Sequence, residues 1–163
     1  MKTAARLLLL ASSLALASVS RAQVKVGDTF PTGSAAAGGA LSAVSGKVSI
    51  VDFWASWCGP CKASFPAYGK LNATYSPKGL AILAVSVDEN PAEYEKFVKR
   101  FTPPFPVALD RDHTHVALVS VTTMPTCYVL DRHGRVRFIH PGYHGAETDE
   151  SLRREVDQLI AEN

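Results

Sequence analysis

Residues 57–61 read Trp-Cys-Gly-Pro-Cys. Two thiols separated by two residues can close a small disulfide ring and reopen it. The run before them, Val48-Ser49-Ile50-Val51-Asp52-Phe53, has the composition of a buried strand, and a helical pattern follows. Cys58 therefore falls at a helix N-terminus, where unpaired backbone N–H groups and the helix dipole favour a thiolate. In such a motif a thiol pKa falls to roughly 3.5–7.5, from about 8.5 for free cysteine. The chemistry this pattern implies is dithiol–disulfide exchange.

Two blander uses of the pair are weaker. A structural zinc site needs a second pair of ligands at suitable spacing. The only other cysteine is Cys127, and His113 and His115 have no cysteine partner nearby. No metal and no cofactor is therefore expected. A static disulfide across so short a loop adds little loop-closure entropy. Exchange accounts for the spacing better.

The N-terminus reads as an export signal. Lys2 and Arg6 precede an apolar stretch from Leu7 to Val19, and Ser20-Arg21-Ala22 offers small residues for cleavage. The stretch is short of the roughly 20 residues that a spanning helix needs. No cysteine follows it, so no lipid anchor is evident. The expected division is a signal peptide over 1–22 and one domain over 23–163, with a periplasmic location. Without residues 1–22 the chain keeps 14 basic and 15 acidic side chains, a net charge of −1. Nothing in that balance suggests a nucleic-acid partner. An exported chain whose cysteines cluster in one motif is expected to act on other proteins' disulfides.

The elements that must hold the pair follow from pattern. Residues 31–46 are small and low in charge, and Gly38-Gly39 suggests a hairpin turn in an N-terminal β ribbon, with Leu41 and Val44 partly packed. Val48–Phe53 is a strand. A helix runs from Cys61 to about Tyr75, interrupted by Pro66, which should kink it. Leu80–Val87 is an apolar run suited to a central parallel strand. Asn90-Pro91-Ala92-Glu93 opens a helix, whose Tyr94, Phe97, Val98 and Phe101 recur at helical spacing and are expected in the core. Phe105–Leu109 is a short strand and Asp112–Val119 a short helix. Thr126–Leu130 and Arg135–Ile139 flank the turn Asp131-Arg132-His133-Gly134 as a hairpin. A last helix starts near Thr148 and buries Leu152, Val156, Leu159 and Ile160. This order argues for a three-layer α/β/α sandwich.

With these elements in place, the chain resembles the thioredoxin superfamily over nearly all of residues 23–163. It is most similar to the exported TlpA-like reductases, which include the cytochrome c maturation thioredoxins. The residues that carry the resemblance are Gly27-Asp28-Thr29-Phe30-Pro31, Gly46-Lys47 and Val51-Asp52-Phe53-Trp54-Ala55-Ser56-Trp57-Cys58-Gly59-Pro60-Cys61-Lys62. Pro66, Phe105-Pro106-Val107 and Met124-Pro125-Thr126 complete it. A helix-plus-strand insertion at about 91–109 is similar to that of the exported branch. The resemblance implies a thioredoxin-like α/β fold with an N-terminal β extension.

It also implies roles. Cys58 would be the exposed nucleophile and Cys61 the more buried resolving thiol. Pro125 would be the family's cis-proline, exposing the backbone of Met124 to substrate. Trp57, Gly59, Pro60, Met124 and Pro125 would form the docking surface. Asp52 lies where thioredoxins bury a carboxylate beneath the cysteines, and desolvation there would let it take the proton of Cys61. The alternative is a carboxylate paired with a cation, but thioredoxin's lysine would align near Ala84. Many exported relatives place Glu three residues after the second cysteine; here the residue is Ser64.

Cys127 stands two residues after Pro125 in a strand, and alternation leaves either Thr126 or Cys127 under the site. A buried, inert thiol is expected, with a reactive third thiol as the alternative. The Gly-Pro between the cysteines resembles thioredoxin and points to reduction. The implied partners are disulfide-containing exported proteins, such as apocytochrome c or copper-site proteins, and a membrane electron donor. Two rival functions remain at this point. A thiol peroxidase would need a proline-led loop before Cys58 that the sequence lacks. A copper-binding or copper-chaperone module would use Cys58, Cys61 and His140 or His144.

Overall fold

The structure, a computed structural model, describes residues 23–31, 41–42 and 44–162. The expected export signal and the Gly38-Gly39 turn lie outside the described residues. Strand β1 (Val48–Trp54) is buried at every position, as expected of a central strand covered on both faces. It leads through a tight turn into helix α1 (Gly59–Tyr75), which begins two residues earlier than the expected Cys61 and continues as one element across Pro66. Pro66 has no N–H for the Lys62 carbonyl, so one bond of the helix ladder is missing there. A 3-10 turn at Ser76–Lys78 ends on Gly79, whose φ of 98° suits glycine, and the chain enters β2 (Leu80–Ser86).

Helix α2 (Pro91–Phe101) starts as expected: the Asn90 side chain accepts from the Ala92 N–H, with Pro91 just inside. Its aromatic stripe is not wholly in the core. Phe97 is buried, Tyr94 and Val98 are half-buried, and Phe101 is 38% exposed. Phe101 lies in the last turn of the helix, stacked on Phe97, with its outer face open to solvent. Strand β3 (Val107–Leu109) is shorter than expected, because Phe105 turns inward to pack against Phe65 and Tyr68. Helix α3 (Thr114–Val119) follows.

The hairpin pairs β4 (Thr126–Leu130) with β5 (Val136–Pro141), one residue later at its start than expected. The Asp131 carboxylate holds the turn by accepting from the His133 and Arg135 N–H groups, and Gly134 takes a φ of 75°. Helix α4 (Ala146–Ala161) starts two residues before Thr148, whose hydroxyl accepts from the His144 N–H. Leu152, Val156 and Leu159 are buried, whereas Ile160 is half-buried.

The sheet order is β3-β2-β1-β4-β5, with β1, β2 and β3 parallel and β4 antiparallel to both its neighbours. On one face, Trp54 packs against Phe65 of α1 and Phe97 of α2, and His140 of β5 bonds to Glu155 of α4. On the other, Phe53 stacks on His115 of α3, and Tyr128 meets Phe30 of the N-terminal segment. Thus α1, α2 and α4 cover one side, and α3 with the N-terminal segment covers the other. Leu41 and Val44 are buried, as expected, and Thr29 bridges to Arg135. Among the described residues, no helix is long and apolar enough to cross a membrane.

Candidate active site

Cys58 and Cys61 are joined by a disulfide. Cys58 is the N-cap of α1, and its Sγ accepts from the Cys61 N–H at 3.2 Å. No acidic residue stands in the first turn of α1 to oppose a developing thiolate. Cys58 is 5% exposed, buried rather than the exposed thiol expected, with its sulfur tied into the disulfide; Cys61 is wholly buried, so the order of the two is as expected. Around them Trp57 is 69% exposed, and Gly59 and Pro60 are exposed. A depression of about 540 Å³ beside the pair is lined by Trp57, Lys62, Val87, Glu89, Glu93 and His113.

The turn that delivers Cys58 is fixed from β2. The Cys58 N–H donates to the Ala55 carbonyl, closing the turn. The Asp88 carboxylate accepts from the Ser56 N–H at 3.0 Å and its hydroxyl at 2.8 Å, and from the Ser86 hydroxyl at 2.7 Å. Asp88 is only 2% exposed. Sequence reasoning missed this clamp, since Ser56 and Asp88 stand 32 residues apart. The available signal was a Ser-x-Asp pair where a buried parallel strand ends.

The Met124–Pro125 peptide is cis, as the resemblance implied. Pro125 is buried and Met124 half-buried. Thr126 pairs with Phe53, which places Met124 and Pro125 at the end of the sheet where β1 runs toward Cys58. Ser64, buried on α1, spends its hydroxyl on the Cys61 carbonyl.

Asp52 lies wholly buried on the α1 side of β1. It stands in register with Ala84 on β2 and with Cys127 on β4. Its Oδ1 accepts from the Tyr68 hydroxyl at 3.0 Å, and its Oδ2 has no hydrogen-bond partner. Burial holds the carboxyl well above the usual carboxylate range, and the Tyr68 hydrogen bond pulls the other way. Cys127 is free, buried and on this same face, which resolves the choice between Thr126 and Cys127. Burial, and next the Asp52 charge, push its thiol well above the ordinary cysteine range. A thiol so held is protonated near neutrality and inert, as expected of a core cysteine.

Of the histidines weighed for copper, His140 stands in register with Cys127 across β4 and β5, and the His144 N–H donates to Thr148 at the start of α4. His140 bonds to Glu155 at 2.8 Å on the β5–α4 side. Among the described residues, no group of three or more His, Cys, Asp or Glu is arranged to hold a metal ion.

Residues 25–156 match the Redoxin family. Thiol-disulfide oxidoreductase ResA of Geobacillus kaustophilus is 34% identical over 119 residues, covering 73% of this chain and 67% of that protein. ResA of Oceanobacillus iheyensis is 36% identical over 102 residues, 63% of this chain and 53% of its own. Among solved structures, a protein assigned as thiol:disulfide interchange protein DsbE from Chlorobium tepidum superimposes with a TM-score of 0.79. It is 34% identical and covers 85% of this chain and 100% of its own. StoA of Bacillus subtilis superimposes with a TM-score of 0.60 at 25% identity, covering 68% of this chain and 83% of its own. With a Cys-x-x-Cys disulfide at the start of α1 on a thioredoxin-like sheet, the chain belongs to the Redoxin family and is a ResA/DsbE-like thiol-disulfide oxidoreductase.

Proposed function

We propose that the chain is exported by residues 1–22 and that its domain, 23–163, reduces disulfides of other exported proteins. The observation that carries this reading is the Cys58 sulfur at the N-cap of α1, within hydrogen-bond reach of the Cys61 N–H. In the reduced protein that N–H and the helix N-terminus stabilise a Cys58 thiolate. The thiolate attacks one sulfur of the partner's disulfide; the other partner sulfur leaves as a thiolate, and a mixed disulfide remains. Cys61 then gives its proton to Asp52 and attacks Cys58 Sγ. The Cys58–Cys61 disulfide forms, the partner's second sulfur departs, and the partner has gained two electrons.

The structure holds the oxidised end of this cycle. A membrane electron donor then returns two electrons to the pair. Trp57, Gly59, Pro60, Met124 and Pro125 serve as the docking rim. Export is supported by the basic and apolar pattern of residues 1–19, and reduction by the Gly-Pro between the cysteines. The test is to express Cys61→Ala in the compartment. Stalled mixed disulfides through Cys58 that release exported proteins on reduction are expected. No trapped protein, or trapping that persists in Cys58→Ala, contradicts the proposal.

A further inference from the structure

Tyr68 is a buried phenol that the exchange steps above do not use. It follows Cys61 by two helical turns, on the stripe of α1 formed by Cys61, Ser64, Phe65 and Tyr68 that packs against the sheet. Its hydroxyl donates to Asp52 Oδ1 at 3.0 Å, and the Cys127 thiol lies against the same hydroxyl. Phe105 meets its ring edge-on at 6.3 Å and limits its movement. On the far side of the carboxyl group, Asp52 Oδ2 is buried with no hydrogen-bond partner.

The phenol has one proton to give and gives it to Oδ1. That leaves Oδ2 as the oxygen that can receive one. We propose that Tyr68 is a positioning residue for proton transfer: it locks the rotation of the Asp52 carboxyl group and reserves Oδ2 as the accepting atom. The inference rests on the reading of Asp52 as the proton acceptor for Cys61.

A carboxyl group buried with no donor holds its proton through the neutral range, and a group already protonated accepts nothing. The Tyr68 hydrogen bond acts against that burial by stabilising the charged form. The other groups facing the cluster do not substitute for it. Helix α1 contributes Cys61 besides Tyr68, and β2 offers Ala84 opposite Asp52. Strand β4 contributes Cys127, which burial keeps protonated. Strand β5 contributes His140, in register with Cys127 and bonded to Glu155 of helix α4, which raises Cys127 further.

Tyr68→Phe removes the hydroxyl and keeps the ring. Infrared difference spectra across pH follow the C=O stretch of the protonated Asp52 carboxyl, identified by its loss in Asp52→Asn. In Tyr68→Phe its titration midpoint should move upward, a gain in proton affinity of about ten- to a hundredfold, since hydrogen bonds to charged groups have that strength. The pH profile for resolving a mixed disulfide should move with it. Replacing Tyr68 with 3,5-difluorotyrosine, a stronger donor, should move both downward, and it serves if Tyr68→Phe fails to fold. Added to Asp52→Asn, Tyr68→Phe should slow resolution no further. An Asp52 midpoint unmoved by either change overturns the proposal, even where Asp52→Asn slows resolution. If the midpoint moves but Asp52→Asn resolves at the parental rate, the acceptor reading fails and the proposal falls with it.

Discussion

Asp52 and Ala84 stand opposite each other across β1 and β2, so the register that could bring a cation to the buried carboxyl group brings a methyl group. None of the ion pairs among the described residues involves Asp52. Its proton affinity is therefore set by burial and opposed only by a neutral donor, Tyr68. Raised by burial in this way, Asp52 gives the fold a pH dependence of definite sign.

The folded-state pKa of Asp52 is raised above its unfolded value, so the native state holds a proton that the unfolded chain has released. The contribution of Asp52 to stability is greatest below its unfolded pKa, near 3.9, and declines as pH rises toward the folded one. Asp52→Asn removes that decline. Urea midpoints of the oxidised proteins should diverge as pH rises from about 4, with the variant the more stable near neutrality. Parallel curves for the two proteins would show that Asp52 titrates alike in both states.

Cys58 caps a helix and touches solvent, whereas Cys61 is sealed beneath it. Alkylation of the reduced protein near neutral pH should label Cys58 first and Cys61 far more slowly. Cys127, buried on β4, should react only on unfolding. Mass spectrometry of quenched samples reads all three sites. Equal rates at Cys58 and Cys61 would contradict the assignment of nucleophile and resolver.

The Asp88 clamp should matter to both stability and rate. Asp88→Ala leaves the Ser56 N–H and the Ser86 hydroxyl without their acceptor and should cost about 1–3 kcal/mol in urea unfolding. With the turn before Cys58 released, disulfide reduction should slow as well. A variant with parental stability would show that water replaces the carboxylate without loss.

Because His140 is bonded to Glu155 and, among the described residues, joins no group of three metal-ligating side chains, copper should not recruit it. Calorimetric titration of the reduced protein with copper(I) should give the same result for the parent and His140→Ala. Tight one-to-one binding that His140→Ala abolishes would favour a copper-chaperone role.

Much of this was legible in the sequence because its signals are local. The predominantly apolar runs at 48–53 and 80–87 mark strands covered on both faces, and Asn90-Pro91 marks a helix start. The order of burial of Cys58 and Cys61 follows from their places at a helix N-terminus. What stayed hidden depends on contacts between distant residues. Tyr68 reads as another core aromatic on α1, and only the fold brings its hydroxyl to Asp52. Asp88 meets Ser56 across two strands of a parallel sheet, a pairing no local pattern encodes. Strand alternation could not choose a face for Cys127 until the β1–β4 register put it opposite Asp52. The exposure of Phe101 escaped because helical spacing assigns a face, not how far a neighbour covers it.

Proton transfer from Cys61 to Asp52 is tested by single-turnover reduction of a model protein disulfide from pH 6 to 8, comparing the parent with Asp52→Asn. Fluorescence of Trp57, exposed beside Cys58, reports formation of the mixed disulfide, and acid-quenched samples report its resolution. First attack should stay within about twofold of the parent, since a helix N-terminus stabilises a thiolate without Asp52. Resolution should slow about a hundredfold or more, the usual scale for loss of a proton acceptor. Resolution at the parental rate across that pH range would rule out Asp52 as the proton acceptor.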